Sequence, residues 1–137
     1  MTEIYFKKMK ENYVSSHYSE TWLEDGIIIQ TINPTINEIN LLMAKQFVKD
    51  RKAASGSEEK IVSVLVIVNN ALNINQEAKK YYELEEPYIN IKAIAMVMDN
   101  YIASFVASLV FKIKKNRVPT EVFNNKEKAL KWLGKYN

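Results

Sequence analysis

Residues 61–70 read Ile-Val-Ser-Val-Leu-Val-Ile-Val-Asn-Asn, and this stretch decides the fold of the chain. The run is apolar at almost every position before the two asparagines, whereas successive side chains of a strand point to opposite faces of the sheet. A strand that is apolar on both faces is typical of the middle of a sheet that helices cover on both sides. We therefore predict that this stretch is the central strand and that the core surrounds it.

A helix is predicted directly after the central strand. The segment Asn73-Ile74-Asn75-Gln76 matches a capping box, in which the Asn73 side chain accepts a hydrogen bond from the Gln76 amide and the Gln76 side chain returns to the cap. The helix should continue through Tyr82 and end at the acidic segment Glu83–Glu86.

Upstream of the central strand, the pattern predicts a β-hairpin. Thr21–Glu24 and Ile27–Ile32 are strand-like, and the Asp25-Gly26 pair between them favours a two-residue type I′ turn. Residues 1–18 are interpreted either as an extra strand or as an exposed arm.

A helix is predicted between the hairpin and the central strand. Thr35 and Glu38 match a second capping box, and the helix should end near Ala54, before Ser55-Gly56. It is predicted to bury one apolar stripe, formed by Ile36, Ile39, Met43 and Phe47.

Downstream, two more strand-helix units are predicted. Ile91–Met98 is a short apolar strand, and a helix follows it from Asp99 or Asn100. Val118–Phe123 is predicted to be an edge strand because Pro119 lacks a backbone donor. A third capping box, Asn124–Glu127, should open a last helix with an inward set of Ala129, Leu130, Trp132 and Leu133.

This order of elements predicts an α/β fold in which residues 1–137 form a single domain. An opening hairpin is followed by alternating strand-helix units, which produce a mostly parallel mixed sheet flanked by helices. No linker, low-complexity tract or internal repeat divides the chain.

Composition excludes several chemistries. The chain has no cysteine, one histidine (His17) and three glycines, so neither a cysteine-ligated or histidine-rich metal site nor a glycine-rich phosphate loop can be assembled. His17 lacks a nucleophile or an orienting carboxylate at a recognisable spacing, which argues against a hydrolase. We predict no catalytic residue, no metal and no cofactor.

The charge pattern gives only a weak indication of an anionic partner. The segment Lys112–Asn137 carries eight Lys or Arg residues and two Glu. Since no interleaved aromatic platform accompanies these cations, the pattern argues against a nucleic-acid ligand. The chain shows neither a signal peptide nor an apolar run long enough to span a bilayer, so we predict a cytoplasmic protein.

Three segments resemble a known fold group. Trp22–Ile27, Asn75–Tyr81 and Val118–Leu133 are similar to small uncharacterised bacterial proteins with STAS- and SEC14-like topology, a group related to the bacterial anti-sigma-factor antagonists. The resemblance implies a STAS-like fold. In the antagonists, a regulatory serine begins the helix after the central strand, in an Asp-Ser-Ser-Gly context. The comparable positions here read Asn75-Gln76-Glu77-Ala78, so the resemblance implies a relative without that phosphorylatable serine.

We interpret the protein as a non-enzymatic STAS-like module for protein interaction or regulation. Ligands of open α/β sheets tend to bind at the carboxyl ends of the strands. That rule selects a partner-binding set: Asn70, Asn73, Asn75, Gln76 and Glu77.

The alternative is a carrier of a small apolar or lipid-like ligand, which the SEC14-like resemblance and the apolar helix face of Tyr101, Phe105 and Leu109 favour. We expect an unidentified protein partner and a monomer or weak homodimer.

Overall fold

The computed structural model describes residues 10–57, 59–69, 73–98 and 118–136. The strands are β1 (Glu11–Ser15), β2 (Ser19–Glu24), β3 (Ile27–Ile32), β4 (Glu38–Ile39), β5 (Val62–Ile67), β6 (Asn73–Ile74), β7 (Ile91–Val97) and β8 (Thr120–Phe123). The helices are α1 (Leu41–Ser55), α2 (Gln76–Tyr81) and α3 (Lys126–Leu133), with short 3-10 turns at Glu86–Tyr88 and Gly134–Tyr136. None of these helices is long and apolar enough to cross a membrane.

Strand β5 lies inside a six-stranded sheet of order β1-β2-β3-β5-β7-β8. It runs parallel to both neighbours, β3 and β7, and β8 continues the parallel part of the sheet. Strands β1 and β2 pair antiparallel at the other side. The predicted central strand and the mostly parallel mixed sheet are therefore confirmed.

The two faces of β5 belong to two separate apolar clusters. Val64 points to the face covered by α1 and α2, where it joins Phe47. Leu65 points to the opposite face, where it joins Leu133 of α3. Both strand residues are completely buried. The alternation of a strand thus places neighbouring residues in different halves of the core, which explains why the sequence run is apolar at almost every position.

The hairpin is confirmed with the turn that its sequence predicts. Glu24 and Ile27 are paired, and Asp25 and Gly26 between them have φ values of 51° and 79°. Positive φ at both central residues defines the type I′ turn. Residues 11–15 form the edge strand β1, while residues 1–9 lie outside the described residues.

The capping box predicted at Thr35 and Glu38 is wrong. Thr35 lies in a turn, where its amide and its hydroxyl donate to Oδ1 of Asn33 at 3.0 and 2.8 Å. Glu38 belongs to β4, and α1 begins only after Asn40. The Asn40 side chain accepts a hydrogen bond of 2.9 Å from the Met43 amide.

The apolar stripe predicted for this helix is therefore only partly helical, because Ile36 and Ile39 enter the core from the turn and from β4. The predicted end is confirmed, since α1 ends at Ser55 with Gly56 in the left-handed conformation.

The other two capping boxes are wrong in register. Asn73 is part of β6, and Asn75 caps α2 by accepting a 3.0 Å hydrogen bond from the Ala78 amide. In α3 the cap is Asn125, which accepts a hydrogen bond of 3.1 Å from the Lys128 amide. At all three helices the third residue after the cap is Met, Ala or Lys, so no reciprocal Glu or Gln is present and a lone asparagine caps the helix.

The downstream strands agree with the sequence. β7 covers most of the predicted Ile91–Met98 strand, and β8 lies at an edge of the sheet, directly after Pro119. Of the inward set of α3, Ala129 and Leu133 are completely buried, whereas Leu130 and Trp132 are partly buried against the same cluster. The helix predicted from Asp99 or Asn100 lies outside the described residues.

Candidate functional site

A two-stranded parallel ribbon beyond the main sheet brings the beginnings of α1 and α2 together. Strand β4 pairs with β6 through Glu38 with Asn73 and Ile39 with Ile74. The Asn75 amide donates to the Ile39 carbonyl at 3.1 Å. Since each helix follows its ribbon strand, the two caps Asn40 and Asn75 occupy equivalent positions.

The ribbon has an apolar side and a polar side. Ile39 and Ile74 are 4% and 6% exposed and belong to the core. Their neighbours Glu38 and Asn73 are exposed. The backbone of this polar edge is therefore fixed by buried anchors, while its side chains are open to solvent.

The sequence-predicted residues divide between this ribbon and α2. Asn73 is exposed on β6, and Gln76 and Glu77 are exposed in the first turn of α2. Asn75 is half-buried and uses its Oδ1 atom for the cap, so its first role is to hold the helix. Ala78, which is completely buried, anchors the same turn. Asn70 lies outside the described residues.

Sequence reasoning missed two polar residues of this site. Glu38 and Asn40 were assigned to a helix, although the structure places them on the ribbon opposite Asn73 and at the cap of α1. The dipeptide Ile-Asn precedes both helices, at Ile39-Asn40 and Ile74-Asn75, but it also occurs at three other places in the chain, so no local signal distinguishes these positions. We call the exposed set the ribbon surface, and it consists of Glu38, Asn40, Asn73, Gln76 and Glu77.

The ribbon surface offers only carboxylate and amide side chains. Two carboxylates, Glu38 and Glu77, stand among three amides, so the surface carries hydrogen-bond donors and acceptors with a net negative charge. Among the described residues, no group of three His, Asp or Glu side chains could hold a metal ion. Such a surface can recognise a partner that supplies donors and positive charge.

The one histidine of the chain is His17. It is exposed on the loop between β1 and β2, and its carbonyl accepts a hydrogen bond of 3.3 Å from Nδ2 of Asn33. The acidic residues Glu83, Glu85 and Glu86 are exposed between α2 and β7.

A comparison with solved structures identifies the fold. The chain is similar to the crystal structure of an uncharacterised protein of the DUF3478 family from Shewanella loihica PV-4, which is described as having a SpoIIAA-like fold. The TM-score is 0.58 at 11% sequence identity, and the match covers 88% of this chain and 90% of the other. The fold is therefore SpoIIAA-like, that is STAS-like, as the sequence resemblance predicted.

Comparisons at the sequence level give a family but no activity. A family model described as a domain of unknown function, DUF7793, matches residues 21–137. No curated protein matches the chain.

Proposed function

Because the chain belongs to the DUF7793 family and has a SpoIIAA-like fold, we propose that it is a non-catalytic regulatory module that binds a protein partner through the ribbon surface. The main support for this proposal is that one side of the β4–β6 ribbon is buried and the other side is exposed. Ile39 and Ile74 fix the backbone in the core, and Glu38 and Asn73 beside them face solvent. Polar groups on a rigid scaffold lose little conformational freedom when a partner binds.

The proposed module works without a phosphoserine switch at the start of α2. The first turn of this helix reads Gln76-Glu77-Ala78 after the Asn75 cap, so it has no hydroxyl to modify. Glu77 instead supplies a permanent carboxylate there. A partner would therefore meet a constant negative charge at this turn. The absence of cysteine is compatible with a cytoplasmic location.

The packing of the core supports this function over a carrier of an apolar ligand. In the part of the chain that the structure describes, Val64, Leu65 and Ile94 at the centre of the sheet are at most 1% exposed. Side chains of α1 and α3 pack against the two faces of the described sheet. The helix segment with Tyr101, Phe105 and Leu109, which the carrier hypothesis uses as a cover, lies outside the described residues.

Photo-cross-linking in the native cell tests the proposed surface directly. A benzoylphenylalanine at Gln76 would lie at the first position of α2, on the ribbon surface. The matched control is the same group at Lys126, which is exposed at the first position of α3. We expect irradiation to join one distinct protein to the chain from position 76 and not from position 126. Equal cross-linking from both positions, or none from position 76, would reject the ribbon surface.

A further inference from the structure

Arg51 of α1 is a buried cation that a hydrogen-bond network holds in place. Its side chain is only 9% exposed, and its Nε donates to Oε1 of Gln30 at 2.7 Å. Gln30 is completely buried in β3, where its Nε2 donates to Oγ1 of Thr21 and to the Phe47 carbonyl, both at 3.1 Å. One edge of the guanidinium is therefore fixed from inside the core.

Among the described residues, no carboxylate pairs with the charge of Arg51. Within the described ranges Arg51 forms no ion pair, and the groups that interact with its charge are the phenols of Tyr81, Tyr82 and Tyr88. Burial lowers the pKa of Arg51, since desolvation disfavours its charged form. Arginine is almost never buried unless it is paired, and its guanidinium carries five donors, of which Nε supplies one.

Arg51 lines a cleft of about 180 Å³ at the end of the sheet opposite to the ribbon surface. Lys52 and Ser55 of α1 line the cleft beside it, and Ser57 and Lys60 follow from the next loop. The other wall consists of residues at the amino ends of β5 and β7 and the turn before β7: Val62, Pro87, Ile89, Asn90 and Ile91. Three cationic residues, Arg51, Lys52 and Lys60, thus line one small cleft, and no acidic residue is among the described residues that line it.

We propose that this cleft is an anion site that binds the phosphate group of a small soluble phosphate ester. The terminal nitrogens of Arg51 and the ammonium groups of Lys52 and Lys60 together supply enough positive charge for a phosphate dianion. The apolar wall can hold the organic part of the ester. Pockets for drug-sized ligands measure about 300–1,000 Å³, so the smaller cleft selects a small molecule.

The site is independent of the proposed interaction surface. It lies at the amino ends of β5 and β7, whereas the ribbon surface lies at the carboxyl ends of the strands. The two proposals can therefore be tested separately. Helix α1 connects the two regions, because it begins at the ribbon surface and ends at the cleft.

NMR titration of the full chain tests the anion site. Inorganic phosphate and glycerol 3-phosphate are added in turn, with sodium chloride adjusted so that the ionic strength stays constant. We expect saturable shifts at the amides of Arg51, Ser57 and Ile91, with the ester bound at least as tightly as phosphate. Absence of saturation for both anions would overturn the proposal.

Two double variants distinguish phosphate binding in the cleft from non-specific attraction of anions to surface lysines. Lys52→Gln combined with Lys60→Gln removes two cleft charges at side chains that are not buried, so this variant should fold. It should weaken phosphate binding by about tenfold or more, as expected when charged donors are lost. Lys45→Gln combined with Lys49→Gln removes the same charge from exposed positions of α1 outside the cleft and should bind like the wild type. Equal weakening by both variants would overturn the proposal.

Vesicles distinguish a soluble ester from a lipid headgroup. Sedimentation with phosphatidylcholine vesicles, with and without phosphatidic acid, is measured on the same proteins. We expect no binding to vesicles under conditions where glycerol 3-phosphate saturates the cleft. Binding to phosphatidic acid vesicles without binding to either soluble anion would show a membrane surface as the ligand and reject the soluble ester.

Discussion

Ile39 of β4 is paired in register with Ile74 of β6, so the asparagines that follow them cap two neighbouring helices. This pairing joins the segment after β3 to the segment after β5 outside the main sheet. Both isoleucines are buried, and the polar residues that precede and follow them are exposed or half-buried. The relationship explains how a short ribbon can present polar groups at fixed positions.

The assignment of β5 as a buried central strand can be tested by substituting one of its residues with a charged residue. Val66 is 4% exposed in β5, so Val66→Asp places an unpaired carboxylate in the core. Burial of a polar group without a partner costs about 2–7 kcal/mol, which approaches or exceeds the stability of a marginal domain. We expect loss of the cooperative thermal transition. Ile61→Asp is the matched control, because Ile61 precedes the same strand and is 55% exposed. A folded Val66→Asp variant with an unchanged melting temperature would contradict the assignment of β5.

The position of the α2 cap predicts that Asn75 contributes more than Asn73 to the free energy of unfolding. Asn75→Ala removes the acceptor of the Ala78 amide and should lower the free energy of unfolding by about 1 kcal/mol. Asn73→Ala should change it by less than about 0.5 kcal/mol, since the Asn73 side chain is exposed. Urea denaturation measures both values. A larger loss for Asn73→Ala than for Asn75→Ala would favour the capping box at Asn73 and contradict the structure.

Stability should decrease at alkaline pH because of buried phenols. Desolvation raises the pKa of Tyr88 well above its ordinary value of 10.0, and it also raises the pKa of Tyr81 and Tyr82. A pKa that is raised in the folded state favours the protonated phenol. The contribution of these phenols to the free energy of unfolding is therefore fully present below pH 10.0, the pKa in the unfolded state, and is lost as the pH rises above it.

Tyr88→Phe isolates the contribution of one phenol. The hydroxyl of Tyr88 donates to the Tyr82 carbonyl, so the variant should lose about 1 kcal/mol at neutral pH. It should also lose less stability than the wild type between about pH 9 and pH 11. The urea midpoint at each pH gives the comparison. Parallel pH profiles for the two proteins would contradict the assigned role of Tyr88.

The edges of the sheet predict a monomer or a weak homodimer. The edge strand β8 follows Pro119, which lacks a backbone donor, and the other edge strand, β1, has an irregular register between Glu11 and Val14. Both features hinder pairing between strands of two copies. Light scattering at micromolar concentration should give the mass of one chain. A stable dimer under these conditions would contradict this prediction.

Much of the main sheet could be predicted from the sequence because its signals are local. The run Val62–Ile67 is apolar on both faces, and Asp25-Gly26 fits one turn type. The ribbon could not be predicted in the same way. Each of its strands has two residues, and Glu38–Ile39 gains its strand conformation only by pairing with Asn73–Ile74. Long-range pairing of this kind overrides the local capping preference.

The buried cation shows a second limit of sequence reasoning. Arg51 occurs in a helix with many charged residues, and nothing in its neighbours distinguishes it from an exposed arginine. Its burial depends on how α1 packs over β3. One signal was present, however, since Gln30 interrupts an apolar strand at a position that packing buries completely. A buried amide requires partners, and Arg51 is one of them.

The central claim is that the ribbon surface binds a protein partner, and a comparison of two charge reversals tests it most directly. Glu77 and Glu127 are both exposed at the second position of a helix, α2 and α3 respectively. Reversal of either charge should cost a similar amount of helix stability, about 0.3–1 kcal/mol. Only Glu77 belongs to the ribbon surface.

The decisive measurement is the affinity of Glu77→Lys and Glu127→Lys for the protein that cross-links from position 76, determined by calorimetry beside their melting temperatures. We predict similar small changes in melting temperature for both variants. The affinity of Glu77→Lys should fall by about tenfold or more, whereas Glu127→Lys should bind like the wild type. Wild-type affinity in a folded Glu77→Lys variant would contradict the claim.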